Sequence, residues 1–61
     1  MSKIKLINEV HPELVALGFK LGDTMEAAIR LDKQCAHFEK HFPYDTRNCS
    51  VFTPDFEIIE N

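Results

Sequence analysis

Glycine occurs only at Gly18 and Gly22, cysteine only at Cys35 and Cys49, and tryptophan not at all. Two isolated glycines cannot build a Gly-rich oxyanion loop, so a Cys–His nucleophile would lack the donors that stabilise developing charge. Two cysteines make no disulfide framework. In a reducing compartment both are expected to stay thiols, buried as small side chains. Wholly apolar runs stop at about four residues, as at residues 14–17, far short of the roughly 20 that cross a bilayer. No apolar h-region follows Met1-Ser2-Lys3-Ile4-Lys5, so neither a signal peptide nor a membrane partner is expected, and the chain reads as cytoplasmic. Neither sign of charge collects into a run: 7 Lys and Arg stand against 10 Asp and Glu, for a formal charge of −3. Phosphate recognition needs clustered Lys and Arg, which puts nucleic acid behind protein as the expected partner.

With 61 residues the chain makes a single domain, residues 1–61, that buries only about 60% of the surface of its unfolded form. A cleft enclosing a cofactor would consume most of so small a core. Function is therefore expected at the surface, and association would add stability.

In chain order, Ile4 and Leu6 alternate with Lys3 and Lys5, the period of a half-buried strand. His11-Pro12 breaks that strand, because the residue before proline avoids helical geometry. A helical turn follows, with Pro12 at its first position and Gly18 at its end. Leu14, Leu17 or Phe19 would tie this loop to the core and leave His11 and Glu13 exposed. Two readings compete for residues 24–42. As strands, Met25, Ala27, Ile29 and Leu31 make one inward row, Asp32-Lys33-Gln34 turns, and Ala36 and Phe38 continue the row. As a helix, Met25, Ala28, Leu31, Cys35, Phe38 and Phe42 recur at spacings of three and four, with Asp23 to Glu26 as a capping box and Pro43 beyond the end. A helix there leaves too few strands to cover it, since two strands alone are marginal. The strand reading gives every apolar row a partner and is preferred; a small α+β fold with a helix at about residues 24–42 is the alternative. Asp45-Thr46-Arg47-Asn48 has the composition of a turn.

The run Val51-Phe52-Thr53-Pro54-Asp55-Phe56-Glu57-Ile58-Ile59-Glu60 reads as a strand, a pause where Pro54 removes a backbone donor, and a closing strand. It resembles the end of small SH3-like barrels. Phe19-Lys20-Leu21-Gly22-Asp23-Thr24-Met25-Glu26-Ala27 is similar to the F-K-x-G-D-x-x-E-V segment that opens the second strand of SH3-type barrels, and the two stretches cover about a third of the chain. The resemblance implies an all-β, five-stranded SH3-like barrel with a 3₁₀ turn before the last strand. It does not extend to the peptide groove of that family. A Tyr-rich opening motif is missing from residues 3–10, tryptophan is absent, and Glu57 stands where a groove aromatic belongs. Only Pro54 carries over, in a structural role. In size and style the chain also resembles small accessory proteins by which phages and mobile elements modify host machinery.

Cys35, His37, His41 and Cys49 form the only ligand-rich patch. On a strand, His37 and His41 lie about 13–14 Å apart, too far for one zinc ion; on a helix, Cys35 points about 200° away from His37. A hairpin centred near Asp45 would set His41 opposite Cys49. No metal, cofactor or catalytic set is assigned, and Glu57 reads as an outward strand residue rather than half of an acid–base pair. Once Ala36 and Phe38 face the core, Phe42, Tyr44 and Phe52 do not all fit inside. With Arg47 beside them, these aromatics form the candidate interaction surface. The expected function is a non-enzymatic protein-interaction module, a phage or mobile-element accessory protein that binds and modulates a host protein, with self-association as a variant. The alternative is a small barrel that binds nucleic acid or nucleoprotein on aromatic stacking platforms.

Overall fold

A computed structural model describes Met1–Asn61 and contains, in order, β1 (Ser2–Leu6), α1 (Pro12–Ala16), β2 (Thr24–Arg30), β3 (Cys35–Phe42), β4 (Asp45–Phe52) and β5 (Phe56–Glu60). All neighbouring strands pair antiparallel in one sheet of order β4-β3-β2-β1-β5. The all-β reading therefore holds, and residues 24–42 form two strands rather than a helix. No helix is long and apolar enough to cross a membrane.

Strand β2 serves two partners. Its residues 24–27 pair with β1, and its residues 28–30 pair with β3. The change of partner falls between Ala27 and Ala28. A strand shared in this way turns a corner in the sheet, and Ala27 at that corner is wholly buried. Ile4, Leu6, Ala36, Phe38, Cys49, Val51 and Phe56 fill the space inside the bend. Phe19 meets the edge of Phe38 at 5.3 Å and 79°, and the Lys40 ammonium sits 5.3 Å over the Phe19 ring.

The loop between β1 and β2 is tied down at each step. Pro12 opens α1, and His11 Nδ1 accepts the Glu13 N–H at 3.3 Å. At the other end Gly18 adopts φ +98°. Its N–H reaches the Val15 carbonyl at 3.0 Å, and the Phe19 N–H reaches the Leu14 carbonyl at 3.0 Å. This paired closure is a Schellman cap, which needs a left-handed residue where glycine costs least. Leu14 is the buried anchor of α1, while Leu17 and Phe19 are half-buried. The next turn has Gly22 at φ +91°, and the Gly22 N–H donates to the Leu6 carbonyl at 2.9 Å, fixing it against the end of β1.

Two turns differ from expectation, and the one at Pro54 lies where it was expected. Leu31, assigned to the inward row of β2, instead starts the β2–β3 turn. It is 65% exposed, and the backbone of Leu31, Asp32 and Lys33 is left-handed, at φ 56°, 54° and 71°. The Gln34 N–H closes this turn on the Leu31 carbonyl at 3.0 Å. Pairing of Arg30 with Cys35 leaves four residues for the connection, so Leu31 is drawn out of the strand. The turn assigned to residues 45–48 lies at residues 43–44, since Phe42 pairs with Asp45 and Pro43 has its φ pre-set for a turn. Asp45 does satisfy its neighbours locally, accepting the Thr46 N–H at 2.8 Å and the Arg47 Nε–H at 2.9 Å, but from the first position of β4. Before β5 the interruption is a single turn: the Asp55 N–H donates to the Phe52 carbonyl at 2.9 Å across a cis Thr53–Pro54 bond.

Candidate interaction surface

The register of the β3–β4 hairpin decides which side chains can act together. Ala36 pairs with Val51, Phe38 with Cys49, Lys40 with Arg47 and Phe42 with Asp45; the alternate pairs are Cys35 with Phe52, His37 with Ser50, Glu39 with Asn48 and His41 with Thr46. Successive residues of a strand face opposite ways, so each set occupies one face. Phe42 and Arg47 therefore extend the core-facing row toward the hairpin tip, where Tyr44 is wholly exposed. Phe52 lies on the other face, about 23 Å along the strand from the Phe42–Asp45 pair at the usual rise. The four residues Phe42, Tyr44, Arg47 and Phe52 do not form one patch. The physical reason is parity: Arg47 and Phe52 are five residues apart on one strand.

The same parity divides the ligand-rich group. Cys35, His37 and His41 share the outer face, and Cys49 points into the core opposite Phe38. His41 sits across from Thr46 rather than Cys49, with Nδ1 3.3 Å from the Thr46 hydroxyl. His37 bridges two neighbours, with Nε2 3.4 Å from Cys35 Sγ and Nδ1 2.8 Å from Ser50 Oγ. Cys35 is 1% exposed, so its sulfur is closed to an incoming molecule. Burial pushes the Cys49 thiol up from its ordinary value, against a smaller pull from the Lys40 ammonium.

A different feature has the geometry of a contact site. Strand β4 ends the sheet order, so one of its edges carries no strand. Along this strand runs a groove of about 460 Å³, lined on one side by residues 48–52 and on the other by His11, Glu13, Leu14 and Leu17, with Asp55 also in its lining. Five consecutive strand residues face alternately up and down. Only the backbone edge of β4 can present all of them to a single groove. Its apolar lining is Leu14, Leu17, Cys49, Val51 and Phe52, its charged lining is Glu13 and Asp55, and no Lys or Arg takes part.

Local structure holds both walls. The α1 wall is fixed by its two caps and by Leu14, and the Asp55 end is fastened when the Ile7 N–H donates to the Asp55 carbonyl at 3.0 Å and Asn8 Nδ2 donates to the Pro54 carbonyl. Two other depressions, of about 570 and 530 Å³, lie over side chains of β2 and β3 and around the left-handed turn. Neither follows the edge of β4. Of the residues expected at the contact surface, only Phe52 lines the groove. The helical turn with exposed His11 and Glu13 was legible in the sequence, but not that β4 would run beside it as an edge.

Comparison with protein families, with characterised proteins and with solved structures finds no match for the chain. Its own geometry and chemistry carry the functional reading.

Proposed function

We propose that this chain is a non-enzymatic protein-interaction module that binds its partner in the groove between α1 and the free edge of β4. The observation that carries the reading is the run of five consecutive β4 residues along one groove, since an unpaired strand edge is a ready template for another chain. The small core supports a surface role, and the enclosed sulfur of Cys35 disfavours a Cys–His nucleophile. An SH3-like barrel and a cytoplasmic accessory role, as in phages or mobile elements, belong to the same proposal. They are supported by the five antiparallel strands, by the proline-bearing turn before β5 and by the size of the chain. A nucleic-acid role is disfavoured by the acidic groove, and the loss of phosphate contacts with salt gives a direct check.

The test is affinity capture of the tagged protein from a lysate of its source or host, with and without nuclease. One protein recovered at near-equal stoichiometry in both arms supports the module. Recovery that vanishes with nuclease, or a bare bait, overturns it.

A further inference from the structure

We infer that the occupant of the groove is an extended, cationic peptide segment of a partner protein, which adds to the sheet as a sixth strand beside β4. The inference rests on the interaction-module reading and names what the module would recognise. Strand addition gains affinity from backbone hydrogen bonds and specificity from alternate side chains. The groove offers both. Residues 48–52 span about 17 Å of edge at the usual rise, room for a segment of about five residues. On such a strand one row of side chains would meet the apolar lining, where Leu14 and Leu17 face β4.

Charge selects the chemistry of the peptide. The groove's charged side chains are Glu13 and Asp55, with no Lys or Arg among its lining, so Lys or Arg on the incoming strand complements it and Asp or Glu is repelled. The same charges argue against a second copy of this chain. A twofold contact through this groove sets the same patch against itself, acidic lining facing acidic lining with no Lys or Arg to offset it.

The probe is a fluorescein-labelled octapeptide of alternating Val and Lys, capped at both ends and titrated at low salt with anisotropy and backbone amide NMR as readouts. The expected result is saturable binding, with shifts concentrated at residues 48–52 and 11–17. N-methylation of alternate peptide amides in one register should weaken binding at least tenfold and in the other register should not, because only one row of peptide N–H groups faces β4. A peptide with Glu for Lys should bind at least tenfold more weakly. Glu13→Lys with Asp55→Lys should reverse that preference, and Glu13→Gln with Asp55→Asn should abolish it if the reversed variant does not fold. The inference is overturned by absence of saturable binding, by equal effects of the two N-methylated forms, by shifts elsewhere, by indifference to the charge changes, or by equal binding of a Lys-bearing proline-rich peptide. Capture separates the two levels. A partner held equally well by the charge-reversed protein sinks the cationic-strand inference and leaves the module standing, whereas no partner on either bait removes both.

Discussion

The turn after β2 holds three successive non-glycine residues in left-handed backbone, and releasing one of them measures what that costs. Lys33, at φ 71°, is exposed and makes no side-chain hydrogen bond or ion pair, so Lys33→Gly changes little besides the backbone. A left-handed L-residue is disfavoured by roughly 1–2 kcal/mol, and the extra freedom of glycine in the unfolded chain returns about 0.5–1 kcal/mol of that. The net gain is about 0.5–1 kcal/mol, which in a domain of this size raises Tm by about 2–8 °C. Gly22→Ala is the converse. At φ +91° with nothing within 4 Å of an added Cβ, it should lose a similar amount through the backbone alone. Thermal unfolding by circular dichroism, with urea titration to show an unchanged m-value, reads both. Lys33→Gly melting at or below the parent, while Gly22→Ala melts lower as expected, would refute the assignment of strain to the β2–β3 turn.

Phe38→Ala removes a ring that is 5% exposed and touches Phe19; it should cost about 3–5 kcal/mol, close to the whole stability of a domain this small, and a variant melting within a degree or two of the parent would show that Phe38 is not core. Tyr44→Ala takes away a wholly exposed side chain at the hairpin tip and should leave stability within about 0.5 kcal/mol and groove binding unchanged, as titration with the Val–Lys peptide would show. Because folding raises the Cys49 pKa, the unfolded chain loses this proton first as pH rises. The contribution of Cys49 to stability should be complete below about pH 8.5, the ordinary thiol value, and decline at higher pH. Urea titrations across that range should show the decline in the parent and less of it in Cys49→Ala.

Several local features were written plainly in the chain. Ile4 and Leu6 alternate with lysines and become the buried row of β1. Pro12 and Gly18 bound α1 because one fits only at a helix start and the other tolerates the left-handed cap. Pro54 marks the pause before β5, where Phe56 is buried and Glu57 exposed. The candidate site was less legible. Phe42, Tyr44, Arg47 and Phe52 have the composition of a contact surface, but composition does not reveal parity. The placement of the turn at residues 43–44 fixes which residues face each other, and from that register each side chain takes its face.

The sequence by itself determined the all-β character of the ends, the helical loop and the proline turn, since each depends on residues within a few positions of one another. Only the tertiary structure decided between helix and strands for residues 24–42, because their apolar positions satisfy both periods, and the pairing of β2 with β1 and β3 tips the balance. The groove is likewise a tertiary product. Whether a strand is central or at an edge depends on the order of all five strands, and nothing in residues 48–52 encodes that β4 comes last.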